Sequence, residues 1–219
     1  MTTFKNVLFW IVSFTWGILM TLFGCIVALG CLCAGKKPQK FHHYVRFEFG
    51  GNWGGLEAGP FFFSGPRPSL HLKQHESGHG YQNIVLGPLM PFVVSIPSAT
   101  RYWIQEYRSQ KARYLFISIL CTIILILAVG FFCLGFFLSK VWWFMIISGL
   151  LAGYDLILFC WAAFKEIPQY KNNAYVNYDW AWYEGAATHV GECLFPKENQ
   201  RGSLRLRDIF INPYKRRDG

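Results

Sequence analysis

Charged residues are scarce in this chain, and this scarcity argues against an ordinary soluble enzyme. Only 15% of the 219 residues are Asp, Glu, Lys or Arg, whereas 53% are hydrophobic and 19% are aromatic. Soluble domains carry about 25% charged residues. The apolar residues are concentrated in long blocks, as segments that face lipid require. We therefore predict a mainly α-helical integral membrane protein.

Three apolar blocks are long enough to cross a bilayer, whose hydrocarbon core of roughly 30 Å needs about 20 helical residues. Residues 7–33 contain no charge, and residues 114–139 and 141–164 contain only Asp155, with Lys140 between them. The first block is longer than the apolar core of about 7 to 15 residues typical of a cleavable signal peptide. The sequence predicts three transmembrane helices, of which the last two form a hairpin.

A disulfide framework is also missing, although the chain has seven cysteines. Six of them lie in or beside the apolar blocks, and only Cys193 stands in a polar region. Cysteines placed in this way are typical of small side chains within membrane helices and not of disulfide bonds in a secreted protein.

The positions of the basic residues predict the orientation. Ten of the 21 Lys and Arg residues lie between the first two blocks, nine follow the third, and only Lys5 and Lys140 lie on the opposite side. By the positive-inside rule the amino terminus is outside, and both the large loop and the carboxy-terminal tail are cytoplasmic. The net charge of +9 then indicates contact with anionic membrane lipid, and nucleic acid is not an expected partner.

This orientation divides the chain into four segments. They are a first transmembrane helix (1–34), a cytoplasmic loop (35–112), a transmembrane helical hairpin (113–164) and a cytoplasmic tail (165–219).

Two kinds of secondary structure are expected in the loop. His43–Phe49 alternates polar and apolar residues, a glycine-rich turn follows, and Leu56–Phe63 is apolar, which together predict a β-hairpin. Ser69 is a candidate N-cap for a helix that ends near Gly87 and Pro88. Residues 84–99 are apolar but contain three prolines, and this favours a re-entrant or interfacial segment.

The predicted loop helix contains the pattern His75-Glu76-Ser77-Gly78-His79. Two histidines four residues apart lie on one helix face, where both can bind a single Zn²⁺, and Glu76 lies beside the metal-bound water as a general base. A polar cavity capped by His75 and His79 without a metal is the structural alternative.

A catalytic zinc site needs a third protein ligand. Glu184 is our preferred donor, because the small residues around it allow close packing and because two intervening spans return it to the side of His75. Asp179, His189 and Glu192 remain competing donors. Gln82 and Asn83 are candidates to orient a ligand histidine, and residues 56–63 are a candidate edge for an extended peptide substrate.

At these residues the chain resembles a group of small, poorly characterised bacterial membrane proteins with a His-Glu-x-Gly-His-x-x-Gln-Asn pattern. The likeness covers roughly residues 43–108 and 178–192. The segments that carry it are His75–Asn83, Leu86–Leu89, Ile96–Ala99, Gly54–Glu57 and Trp182–Ala187.

The resemblance implies a membrane metallopeptidase of gluzincin type, with Zn²⁺ as cofactor and a peptide or protein as substrate. Such proteins commonly carry an acidic residue one turn beyond the third-ligand Glu. Here Thr188 stands in that neighbourhood. The chain therefore departs from the pattern at the residue that would support the metal-binding histidines.

Two other classes of protein compete with a peptidase. One is a membrane scaffold or transporter subunit in which the same residues hold a structural metal or none. The other is a membrane di-iron oxidase, but six histidines with a single pair at ligand spacing supply too few ligands for it. The sequence leaves the substrate and the oligomeric state open.

Overall fold

The fold is mostly helical, with one small sheet, as the composition predicted. The structure is a computed structural model that describes residues 3–51, 53–137, 142–195 and 204–214. The chain divides into two units, one built from residues 1–95 and 177–219 and the other from residues 96–176. The elements, in chain order, are α1 (Thr3–Thr15), α2 (Ile18–Cys33), β1 (Gln39–Phe41), β2 (Tyr44–Glu48), β3 (Gly55–Ala58), β4 (Phe61–Ser64), α3 (Leu70–Leu86), α4 (Ile96–Glu106), α5 (Gln110–Phe137), α6 (Trp143–Trp161), α7 (Ile167–Gln169) and α8 (Trp182–Leu194).

The first apolar block differs from the single straight helix that its length predicts. It forms α1 and α2, whose axes differ by 95° across a break at Trp16 and Gly17. A Cβ atom at Gly17 would lie 2.8 Å from the Asn83 side-chain nitrogen, so α3 packs directly against the break. The Thr21 hydroxyl donates to the Ser13 carbonyl oxygen at 2.7 Å across the bend. The block bends because its two halves pack against the rest of the unit.

Two described helices are long and apolar enough to span a membrane without a break. They are Gln110–Phe137 and the continuous helical segment Trp143–Gln169, which includes α6 and α7. Two broken pairs, Phe4–Cys33 and Leu70–Glu106, raise the number of candidate spans to four if each pair counts as one. The range of two to four fits a membrane protein. The prediction of three spans and of their orientation stays a prediction, and the turn at Lys140 lies outside the described residues.

The sheet has four strands in the order β1-β2-β4-β3, and not the simple hairpin expected. The apolar run 56–63 is not one strand, because Gly59, at φ +67°, and Pro60 turn the chain between β3 and β4. These two strands form an antiparallel hairpin with each other, and β2 pairs in parallel with β4, with Val45 opposite Phe61. The predicted hairpin between residues 43–49 and 56–63 is therefore wrong, because β2 forms a hairpin with β1 and residues 56–63 contain parts of both strands of a second hairpin.

Helices α3 and α8 pack at unusually close range. A Cβ atom at Gly78 would lie 1.9 Å from the Ala187 carbonyl oxygen, and one at Gly191 would lie 1.7 Å from the Gln74 carbonyl oxygen. Both distances are far below any allowed contact, so glycine is required on each side. Ala186 and Ala187 are fully buried at the same interface. The glycines that weaken α3 as an isolated helix therefore allow the backbones of α3 and α8 to meet.

In the second unit, α5 and α6 pack along each other, and a buried polar cluster joins the ends of the helices. Arg101 of α4 forms an ion pair with Glu166, whose carboxylate also accepts a hydrogen bond from the Tyr170 hydroxyl at 3.1 Å. Arg113 of α5 donates to the Ile104 and Tyr170 carbonyl oxygens at 3.0 and 2.7 Å. Both arginines are almost fully buried, and these partners compensate the loss of their hydration.

The close approach of α3 and α8 predicts a strong effect of a single methyl group. We expect Gly78→Ala to lower the free energy of unfolding by about 1–3 kcal/mol or more, because the added Cβ overlaps the Ala187 carbonyl. Gly30→Ala on α2 is the matched control, since a Cβ there meets nothing within 4 Å. Thermal unfolding of the metal-free protein in detergent, followed by circular dichroism, measures both. Equal stability of the two variants would contradict the close packing.

Candidate metal centre

The His75–His79 pair lies on α3, at the position that the sequence predicts. The Ser69 hydroxyl caps this helix by accepting a hydrogen bond from the Leu72 backbone N–H at 3.1 Å. The helix is polar yet largely buried, from Gln74 through Gly80. The imidazoles of His75 and His79 are buried, and their Nε2 atoms lie 3.2 Å apart. The helix therefore brings two nitrogen donors into one buried position.

Glu184 completes the group from the first turn of α8. Its side chain is fully buried, and its Oε2 atom lies 3.2 Å from Nε2 of His75 and 3.2 Å from Nε2 of His79. The three donor atoms thus form a triangle with nearly equal sides. Tetrahedral zinc with bond lengths of about 2.0–2.1 Å separates its ligand atoms by roughly 3.3 Å. The triangle matches this geometry, and the group can bind a metal ion.

The electrostatics of the triangle favour a cation. Burial alone would raise the pKa of Glu184, but the hydrogen bonds and positive charge of His75 and His79 hold it well below its usual range. The second carboxyl oxygen, Oε1, is buried and has no hydrogen-bond partner among the described residues. A buried carboxylate with one unpaired oxygen and two imidazole nitrogens at its other oxygen is stabilised by a shared positive charge. A bound divalent ion supplies that charge when both imidazoles are neutral.

The outward-facing nitrogen of each histidine also has a partner. Nδ1 of His75 lies 2.8 Å from the Thr188 hydroxyl, which donates to Asp179 Oδ1 at 2.9 Å. Nδ1 of His79 lies 2.8 Å from Gln82 Oε1. These contacts assign the proton of each neutral ring to Nδ1 and leave the Nε2 lone pair for a metal.

Of the two residues predicted to orient a ligand histidine, Gln82 contacts one and Asn83 does not. Gln82 contacts His79 and donates from its amide to the Tyr183 carbonyl oxygen at 3.0 Å. Asn83 is fully buried beside Gly17, and in the part of the chain that the structure describes neither its amide nitrogen nor its amide oxygen has a hydrogen-bond partner.

The competing third donors lie in other positions. Asp179 approaches Nδ1 of His75, not Nε2, at 4.0 Å. Glu192 accepts a hydrogen bond from the Tyr214 hydroxyl. His189 is half-buried and, like Asp179 and Glu192, is absent from the group of donor atoms that converge within the described residues. Among the four candidates, the structure brings only Glu184 to both histidines.

Two carboxyl groups adjoin the triangle. Glu76 is buried and faces β3, since a Cβ atom at Gly55 would lie 2.8 Å from Glu76 Oε1. Glu57, on β3, is 3% exposed, and its carboxyl group has no side-chain hydrogen-bond partner among the described residues, while the Gly59 backbone N–H lies beside it. Burial raises the pKa of Glu57 well above its usual range, and the nearby His79 acts in the opposite direction.

The position of Glu57 beside the site and the contact of Thr188 with His75 were not predicted from the sequence. An acid inside an otherwise apolar strand was a usable signal for Glu57. Thr188 stands where the resemblance implies an acid that supports the histidines, but its contact with His75 depends on the packing of α8 against α3.

Comparisons with protein-family models, with curated proteins and with solved structures give no match for this chain. The fold and the site therefore define the class on their own. This is a mostly helical protein with two to four candidate membrane helices and a buried His75–His79–Glu184 group that can bind a metal ion.

The donor triangle predicts the metal content of purified variants. We expect zinc at close to one equivalent per chain in the wild type, and its loss in His75→Ala and Glu184→Ala, because each substitution leaves two ligands. Glu192→Ala is the matched control, since Glu192 lies on the same helix but outside the triangle. Elemental analysis after dialysis measures the content. Zinc retained in Glu184→Ala would contradict the assignment of this ligand.

Proposed function

We propose that this chain is a membrane-embedded, zinc-dependent peptidase that hydrolyses peptide bonds near the cytoplasmic membrane surface. The observation that carries the proposal is the buried triangle of His75, His79 and Glu184 with a further acid, Glu76, next to the first ligand. Two imidazoles and one carboxylate are a donor set typical of catalytic zinc in peptidases. A bound zinc ion supplies Lewis acidity toward the scissile carbonyl and lowers the pKa of water.

The role of Glu76 follows from its place in the motif. It is neighbour to His75 in the chain, and its carboxylate lies against Gly55 of β3. A carboxylate in this position accepts the proton of the attacking water and later donates it to the leaving amine. Its burial keeps bulk water from competing for that proton.

Strand β3 provides a place for an extended peptide. β3 is an edge strand of the sheet, whereas β4 is an internal strand. Of the predicted substrate edge, residues 56–63, only the part in β3 is therefore free to pair with a peptide. A Cβ atom at Gly24 would lie 2.3 Å from the Ala58 carbonyl oxygen, so α2 covers that end of β3. The half-buried start of the strand, Gly55 and Leu56, remains as the open part beside Glu76. A peptide that pairs there passes next to the proposed base.

The cytoplasmic location rests on the distribution of Lys and Arg, and the membrane placement rests on the apolar helices. Anionic membrane lipid is the partner that the basic loop and tail favour.

A structural metal site in a membrane scaffold or transporter subunit is the second candidate. One observation favours it. Both histidines are only 8% exposed and Glu184 is fully buried, and such burial suits a metal ion that stabilises the fold without contacting a substrate.

Replacing Glu76 by Gln separates the two candidates. We expect Glu76→Gln to bind zinc like the wild type and to lose peptide cleavage by roughly 10²–10⁴-fold, because the amide cannot accept the proton. Mass spectrometry of a mixed decapeptide library incubated with the zinc-loaded, detergent-solubilised full chain measures cleavage. Glu48→Gln is the control, because Glu48 is a partly exposed acid at the end of β2 that pairs with Arg46. A zinc-loaded wild type that cleaves no library peptide would favour the structural site.

A further inference from the structure

A carboxylate outside the donor triangle is connected to it through a hydroxyl group. Thr188 lies one helical turn beyond Glu184 on α8, so the two side chains share a face. Its hydroxyl oxygen is 2.8 Å from His75 Nδ1 and 2.9 Å from Asp179 Oδ1. The direct distance from Nδ1 to Asp179 is 4.0 Å, which is too long for a hydrogen bond. Among the described residues, Thr188 therefore links His75 to Asp179.

The direction of the two hydrogen bonds follows from the donor inventory. A carboxylate only accepts, so the single hydroxyl proton of Thr188 points to Asp179. The hydroxyl oxygen then accepts from His75, which requires the proton of the neutral ring on Nδ1. This leaves the Nε2 lone pair toward Glu184 and His79. The chain of bonds thus fixes both the tautomer and the rotation of the His75 ring.

The two histidines are held in chemically different ways. His79 is bound by the neutral amide of Gln82, which is in turn bound to the Tyr183 carbonyl oxygen. His75 is connected to a negative charge. A carboxylate at the outer end of a histidine hydrogen-bond chain increases the basicity of the metal-binding nitrogen.

Asp179 lies in a short turn directly before α8, and hydrogen bonds hold the backbone of this turn in place. The Asp179 backbone N–H donates to the Asn177 side chain at 3.0 Å, and its carbonyl oxygen accepts from the Asn212 amide at 2.9 Å. The Asn212 amide also donates to the Ala181 carbonyl oxygen at 2.9 Å. None of these contacts involves the Asp179 side chain, so they do not depend on its charge.

We propose that Asp179 is a positioning residue of the metal centre, which acts through Thr188 on His75 and increases the affinity of the site for a divalent cation. The inference rests on the proposed zinc centre and assigns to it an anionic partner that is not a ligand. Asp179, weighed as a ligand on sequence grounds, has this different role.

Metal affinity in four variants of the full chain in detergent tests the proposal. Competition with a chromophoric chelator gives the zinc Kd. We expect Thr188→Val to weaken binding by about 10–100-fold, because it removes the link and leaves the His75 N–H without an acceptor. Asp179→Asn removes only the charge, so we expect a loss of about 10-fold. Thr188→Ser keeps the hydroxyl and should bind zinc like the wild type.

The fourth variant is a rescue. Thr188→Asp combined with Asp179→Asn places the carboxylate directly beside His75, and we expect it to restore most of the affinity lost in Asp179→Asn. The visible absorption of the Co²⁺-loaded protein gives a readout that a purely structural role would not move. Its bands should shift in Asp179→Asn and not in Glu192→Gln, a control acid on the same helix that binds Tyr214.

Two outcomes overturn different claims. If the wild type binds zinc tightly and both Thr188→Val and Asp179→Asn bind it equally well, the positioning role of Asp179 is wrong and the metal centre stands. If the folded wild type binds no zinc or Co²⁺, the proposed function itself fails.

Discussion

The contact between α3 and α8 is the constraint on which the candidate site depends. Glycines on both helices, Gly78 and Gly191, allow the two backbones to approach to a distance that any side chain would prevent. Only at that distance does Glu184, in the first turn of α8, reach both histidines of α3. The same contact brings Thr188 to the far side of His75. One packing interaction thus sets the ligand triangle and the outer hydrogen bond together.

The chemistry of the site follows from burial. Two largely buried imidazoles and a fully buried carboxylate converge, and Glu76 and Glu57 add two further acids nearby. Charges in such a position are costly unless they are paired. The histidine N–H groups have partners, whereas Oε1 of Glu184 has no hydrogen-bond partner among the described residues. A cation at the triangle compensates the charge of Glu184, and burial raises the pKa of Glu57 well above its usual range.

The departure at Thr188 from the gluzincin-type pattern has a structural counterpart. A threonine side chain is shorter than that of an acid and carries no charge, so it cannot supply a carboxylate at this position. In this fold, however, the turn before α8 brings Asp179 behind it. The carboxylate comes from a different part of the chain and reaches His75 through the hydroxyl.

Local patterns were sufficient for some features. The apolar blocks predicted a mainly helical fold with helices of membrane-spanning length. Ser69 predicted the start of α3, and the four-residue spacing predicted that His75 and His79 lie on one face of it. These features depend on residues close together in the chain, whose geometry the helix itself fixes.

The tertiary structure decided the rest. The bend at Gly17 arises where Asn83 packs against it, and the parallel pairing of β2 with β4 depends on a turn at Gly59. The choice of Glu184 over its competitors, and the separate role of Asp179, depend on atoms more than 100 residues from His75 in sequence. Spacing along the chain contains no information on such distances. They are determined when apolar burial and backbone contact bring α8 onto α3.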